Sequence, residues 1–398
     1  MCIYNVLLGW YIVNVINKMN FKYAKLLFLA VIFSSCVGGK EESNTGLKVY
    51  EIDLDAELTS FFDILSDVEI TVLEESENSM FGYVDKIIPD GDELIIVTGG
   101  HGKAIRFDQD GKYISHLSER GMGPREYSSI TDLMVMDDQV LLLDGKRQRI
   151  TKWTKDWGYD SAMRLGFAAA HFTVQGDGYL FNANYTLVDD TVRANVIATN
   201  ANFDLEIGLV PFKKPKSLLL GNTVVFSKVG RDIHYRPGFS DTVYSISPEH
   251  KASPAYRFEF GKYWHFANGL ETDNEFYEFQ SNLKGKAEAL IYFTNIESDN
   301  WIFGKMTMLP TYRTMGVVID RNSGKAQYLD LQIGEGLQDS ILPILVENER
   351  VYAAIDADDL RYILSKNPEF EKTIKGSQSI EKALASENPM IMSFKFKR

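Results

Sequence analysis

One regularity constrains this chain more than any other: a hairpin-like pattern returns about every 46 residues. Strand-like runs flank a polar turn in AIRFDQDGKYISHL from residue 104, ITKWTKDWGYDSAM from 150, VIATNANFDLEIGL from 196, VYSISPEHKASPAYRF from 243, GVVIDRNSGKAQYL from 316 and RYILSKNPEFEKTI from 361. With Gly111, Trp157, Phe203, Lys251, Gly324 and Phe370 as turn markers, the steps are 46, 46, 48, 73 and 46 residues. The long step contains HFANGLETDNEFYEFQSNLKGKAEA, residues 265–289, a polar, helix-prone insert of 25 residues. Removing it returns the common period, so six units are expected.

Each unit carries two further apolar runs upstream of its hairpin, such as ITDLMVM with QVLLLDG and HFTVQ with GYLFNAN. Short runs rich in Val, Ile, Phe and Tyr, broken by Gly, Asp or Asn, are strand signals. Four short strands per unit give the blade pattern, so the expected fold is all-β: a six-bladed β-propeller of four-stranded antiparallel blades over residues 47–398. A pair of β-sandwiches leaves the regular step unexplained. A ring needs closing, because an open blade edge invites pairing with other chains. Residues 67–75 and the run IMSFKFK at 391–397 are expected to share the closing blade, with VYEIDL as an extra strand and IEKALASE as a short rim helix or loop. In the insert, Phe266, Leu270, Phe276, Phe279 and Leu283 fall at spacings near three and four, which suits an amphipathic helix.

Upstream of the repeats, Lys22-Tyr-Ala-Lys25 precedes LLFLAVIF and then Ser34-Ser35-Cys36. A basic start, eight apolar residues and a small-residue exit form a secretory signal, too short to span a bilayer. Residues 1–35 are therefore read as a signal peptide whose true start is Met19, and residues 36–46 as a tether. Loss of residues 1–35 leaves 39 basic against 55 acidic residues, a net charge of −16. Cys36 sits where bacterial lipoproteins carry their lipidated cysteine, and Lys40-Glu41-Glu42 resembles the tract that sends Bacteroidetes lipoproteins to the cell surface. That resemblance implies an outer-membrane lipoprotein, displayed on the surface or otherwise facing the periplasm.

Directly after the last strand of the first unit the chain reads GMGPREY at 121–127. This turn, the lipoprotein start and the six-unit period together resemble the Bacteroidetes six-bladed β-propeller lipoproteins, relatives in fold of NHL-repeat and TolB-type propellers. The resemblance implies fold and location rather than chemistry. The motif reads as structural: its glycines are expected to adopt backbone angles closed to other residues, and Pro124 to stiffen the turn.

Ligands of propellers gather on the face carrying the loops between outer and inner strands and between second and third strands. The repeat places His101, Arg125, Tyr127, Arg147, His171, Tyr185, Arg236, Trp264, His265, Tyr312, Asp356 and Asp358 there. Aromatic faces with Arg and Asp suit a glycan, a peptide or a protein partner. His101, His171, His234 and His265 are the histidines able to converge, and some NHL-type lyases hold metals with channel histidines. Catalysis on a sugar or peptide, metal-assisted or not, is the rival expectation, and a purely structural interaction module the third.

Enzyme motifs do not support it. TGGHGKA at 98–104 lacks the first glycine and the Ser/Thr of a phosphate loop, and GMGPRE has Glu126 where a dinucleotide fingerprint needs glycine. HExxH and GxSxG are missing. Two cysteines outside the folded region leave neither a disulfide nor a thiolate metal site. No cofactor, catalytic residue or metal ligand is assigned. The excess of 55 acidic over 42 basic residues argues against nucleic acid. The expected protein is a monomer that touches membrane lipid through Cys36 and binds its ligand on the loop face.

Overall fold

The structure is a computed structural model and describes residues 46–98, 102–188, 192–213, 224–265, 273–283, 288–333, 340–376 and 380–397. Six antiparallel sheets follow the six units. Blade one comprises Lys86–Asp90, Glu93–Thr98, Lys103–Asp108 and Tyr113–Leu117. Blade two comprises Asp132–Met136, Gln139–Asp144, Arg149–Thr154 and Tyr159–Arg164. Blade three is His171–Gln175, Gly178–Asn182, Ala194–Thr199 and Leu205–Pro211. Blade four is Phe226–Val229, Asp232–Tyr235, Thr242–Ile246 and Ala252–Glu259. Blade five is Ala289–Glu297, Trp301–Leu309, Thr314–Asp320 and Ala326–Asp330. First strands of neighbouring blades approach one another, which puts them innermost around a central channel.

The blades cohere because each sheet is apolar on both faces. In Gln139–Asp144, Val140 and Leu142 pack against blade one while Leu141 and Leu143 pack against blade three. A strand buried on both sides reads as an unbroken apolar run rather than an alternating one. All six seams are filled in this way, including the seam between blades six and one, where Ile344 and Ile391 meet Ile87, Ile96 and Phe107. Each aliphatic side chain buried there contributes about 1.5–3 kcal/mol.

The repeated turn has a shared backbone. Gly111, Trp157, Phe203 and Gly324 have φ of 74°, 62°, 65° and 72°, and in blade four His250 (54°), not the adjacent marker Lys251, takes that role. A left-handed non-glycine residue costs roughly 1–2 kcal/mol. Packing offsets it: Phe203 stacks on Tyr179 with ring centroids 4.5 Å apart, and Trp157 donates its indole N–H to Ser115 Oγ of blade one at 3.0 Å.

The sixth unit departs from expectation. Phe370 lies in a 3-10 turn, Pro368–Thr373, and RYILSKNPEFEKTI forms no strand pair. Ala357–Lys366 is a helix whose cap, Asp356, accepts from the N–H groups of Asp358 and Asp359, while Asp359 accepts from the N–H of Asp356. Leu360 and Ile363, three apart, bury its apolar side. The blade instead follows Pro343–Glu347 and Arg350–Ile355 with Met390–Phe396 and then Leu65–Thr71 from the other end of the chain. Ile391 pairs with Thr71 and Phe396 with Leu65, antiparallel, so the ring closes as the sequence predicts. Ile380–Ala383 forms the short rim helix.

Blades four to six also have a fifth strand each, beyond the four expected. Lys48–Glu51, overlapping the start of VYEIDL, lies parallel on the outer strand of blade four, Thr59–Ser60 on that of blade five, and Ile374–Lys375 on Leu65–Thr71. Residues 48–396 thus contain the whole ring, and Lys48–Arg398 is one compact unit. The insert contributes the helix Asp273–Leu283, whose Phe279 and Leu283 pack with Phe239, Trp264 and Leu309 on the loop face.

Candidate functional site

Each inner strand begins at the loop face, so its first residue stands at the channel mouth. In blades one, two and three those residues are Lys86, Asp132 and His171. The Lys86 ammonium donates to Asp132 Oδ1 at 2.6 Å, and the same oxygen accepts the N–H of Leu133 at 2.8 Å. Asp132 Oδ2 accepts the N–H of Phe172 at 2.9 Å. One buried carboxylate therefore joins three blades. His171 Nδ1 is 3.9 Å from Asp132 Oδ2, too far for a hydrogen bond. Burial pushes the imidazole below its ordinary pKa against the pull of Asp132, so His171 is neutral at neutral pH.

Below this polar rim lies a cavity of about 800 Å³. Ile88, Met134, Val174, Phe226 and Leu345 line its waist, and Asp137 and Glu347 line the far end, where burial raises the Glu347 carboxyl. At that end Asp90 pairs with Lys155 at 2.9 Å. No serine or cysteine is among the described lining residues, and the hydroxyls there belong to Thr131, which accepts the N–H of Gly145, and Thr173. The rim can offer a cation with spare donors, a neutral imidazole and an apolar wall.

The GMGPREY turn is a structural clasp. Glu126 folds back so that its carboxylate accepts the N–H of Gly123 at 2.6 Å. A Cβ on Gly121 would overlap that carboxylate, the mobile end of the Glu126 side chain, and the backbone of Gly121 does not take the left-handed angle expected from sequence. Arg147 donates to the carbonyls of Gly123 and Glu126, each at 3.1 Å, and Arg149 to those of Pro124 and Glu126. Tyr127 is fully buried in the seam between blades one and two, which removes it from the ligand face.

The other expected face residues divide. His101 lies outside the described residues. Arg125 is exposed, its guanidinium 5.9 Å from the centre of the Tyr159 ring. Tyr312 is exposed on a left-handed backbone, φ 57°. Trp264 stacks on Phe260 at 5.1 Å, and His265 lies 5.4 Å from Phe279 of the insert helix. Tyr185 turns inward, donating to the carbonyl of Gly238 at 2.9 Å, and burial pushes its phenol up to about 12. Arg236 is 3% exposed and donates to Asn295 Oδ1 at 2.6 Å and to the carbonyls of Phe293 and Ser240; burial lowers its pKa to about 10. Asp356 is spent on the helix cap, and Asp358 pairs with Arg361. Of the described histidines in that set, His234 is buried against Glu297 at 2.7 Å. Among the described residues no group of three His, Cys, Asp or Glu side chains is arranged to hold a metal.

Lys86, Asp132 and Glu347 escaped a reading that looked for sites in loops. Their signal was register: Lys86, Asp132 and His171 each open an inner strand in three successive units. The loop face also collects exposed apolar side chains, Met80, Tyr83, Met122, Leu187, Tyr277 and Tyr312.

No curated protein matches this chain. Among solved structures, a Bacteroides fragilis protein described as a "putative exported protein" is similar at TM-score 0.69 and 16% identity, covering 88% of this chain and 99% of that one. A DUF4221 family member from Bacteroides vulgatus is similar at TM-score 0.50 and 9% identity, covering 84% of this chain and 98% of that one. Both likenesses concern the fold alone. The model of the family described as "Domain of unknown function (DUF4934)" matches residues 49–395, nearly the whole ring, and the chain belongs to that family.

Proposed function

We propose that this protein is a lipid-anchored, extracytoplasmic propeller that binds a ligand at the mouth of its central channel. The convergence of Lys86, Asp132 and His171, from three blades, on the rim of a cavity of about 800 Å³ carries this reading. Cavities of this size, mostly apolar with a few polar groups at one end, are the usual form of ligand sites. Binding is preferred to catalysis because Asp132 already accepts from one ammonium and two backbone N–H groups and orients no base. Away from the channel axis, Arg125, beside Tyr159 of the outer strand of blade two, and Tyr312 are exposed.

Export through the signal at 22–36 and lipidation of Cys36 support placement outside the cytoplasm, in the outer membrane. The likeness in fold to a protein described as exported agrees with this. In the native host, Cys36→Ser is expected to move the protein from the membrane to the soluble fraction and to abolish labelling by palmitate. Residues 46–398 should give calorimetric binding to members of a glycan and peptide panel or to small acids, and Met134→Trp, which fills the waist, should remove it. Ligand binding untouched by a blocked channel would defeat the site assignment.

A further inference from the structure

The residues below the rim narrow what the channel can hold. Resting on the reading that the mouth is the binding site, we infer that its ligand is a small anionic amphiphile, with its apolar body in the waist and its acidic head on Lys86 and His171.

The wall supports the apolar body. Two residues inward from Lys86 and Asp132 stand Ile88 and Met134, joined by Phe226 from blade four and Leu345 from blade six. Val174, on the inner strand of blade three, is 38% exposed although it lies within the ring. Apolar surface facing a solvent-filled cavity gains by being covered. Methionine adapts its shape to different apolar guests, and both Met134 and Met136 line this one. An oligosaccharide or an extended peptide would set its hydroxyl or amide groups against this wall, where Thr173 is the single hydroxyl of the inner strand of blade three. Polar groups buried without partners cost binding energy. A folded protein partner cannot enter a cavity of about 800 Å³, whereas a single acyl chain or ring system fits.

Charge orients the head. Lys86 has three N–H donors and gives one to Asp132, and its side chain is 33% exposed, so two remain for an anion. The negative charge of Asp132 is already met by that ammonium and by two backbone N–H groups. The imidazole of His171, 30% exposed at the same rim, adds a further hydrogen-bonding group. The opposite end presents Glu347 and Asp137, which repel an acid from that side. A molecule with one acidic end is therefore held one way round.

Decanoate, well below its micellar concentration, is the test ligand, with decanol and decyltrimethylammonium as partners of equal chain length, titrated calorimetrically into residues 46–398. Decanoate is expected to bind with one-to-one stoichiometry, and the other two about tenfold or more weakly. Lys86→Met should weaken decanoate about tenfold and leave decanol unchanged. Leu345→Glu, on the inner strand of blade six beside that of blade one, should abolish binding of decanoate and decanol while circular dichroism confirms the fold. Equal affinity for decanoate and decanol, or indifference to Lys86→Met in a folded variant, overturns the anionic head. If an oligosaccharide or peptide binds instead and is displaced by Met134→Trp, the amphiphile is wrong and the channel site stands. If no probe responds to any channel substitution, both fall.

Discussion

The buried hydroxyl of Tyr127 donates to the carbonyl oxygen of Gly102 at 2.6 Å and approaches that of Leu117 at 3.2 Å. A residue of the turn between blades one and two thereby holds a loop and the outer strand of blade one. Tyr127→Phe keeps the packing against Trp153 and Val140 but leaves two carbonyls without this donor. It should cost about 1–2 kcal/mol in urea unfolding, and Tyr127→Ala, which adds a cavity, about 4 kcal/mol. A phenylalanine variant as stable as the parent would show that water replaces the hydroxyl at no cost.

Gly121 and Glu126 are coupled through space. Because a Cβ at 121 meets the mobile Glu126 carboxylate, Gly121→Ala should push that carboxylate off the Gly123 N–H and cost about 1 kcal/mol. Glu126→Ala loses the bond to the Gly123 N–H but opens that space, so adding Gly121→Ala to it should cost little more. A double-mutant cycle with no coupling between the two positions would place the strain elsewhere.

The parts of the fold that could be read from sequence are those dictated locally. Five hairpins repeat because Gly111, Trp157, Phe203, His250 and Gly324 place one left-handed residue at matching points, and turn chemistry is visible in a short window. The sixth misled because closure removes the local constraint. With Leu65–Thr71 and Met390–Phe396 completing blade six, the segment after Asp356 is free to follow its own capping box and helical spacing. The site was harder for the same reason inverted. Tyr185 and Arg236 sit in loops by sequence, yet Arg236 finds its acceptors at Phe293 and Asn295, on a strand of the next blade. Lys86, Asp132 and His171 look like ordinary strand starts until the ring brings them together.

The closing strand should be indispensable where the edge strands are not. Met390–Phe396 lies between Arg350–Ile355 and Leu65–Thr71, and Met392 and Phe394 are fully buried. A chain ending at residue 389 exposes two open strand edges and loses the seam contacts of Ile391 and Phe396, so it should fail to fold and accumulate as aggregate. A chain starting at Asp53 loses the parallel edge strand with the buried Tyr50 and Ile52, and should still fold, with about 5 kcal/mol less stability. Cooperative melting of the C-terminal truncation would refute this account of closure.

Lys305 gives the ring a definite dependence on pH. Its ammonium donates to Ser340 Oγ at 2.7 Å, and it forms no ion pair among the described residues. Burial between blades five and six favours the uncharged amine and lowers its pKa to about 8. An unfolded lysine keeps its ordinary value near 10.4, so between these limits the unfolded chain binds more protons than the folded one. Stability from this residue therefore rises as pH climbs from about 8 towards 10.5, and at neutral pH the buried charge is a liability. Lys305→Met removes that charge along with one hydrogen bond and should stabilise the propeller by about 2 kcal/mol at pH 7. The gain should fade once the wild-type amine loses its proton, and urea unfolding at pH 7 and pH 10 reads the difference. An equal gain at both values would mean that methionine acts through packing rather than charge, and a loss at pH 7 would mean that the ammonium is held more favourably than its surroundings imply.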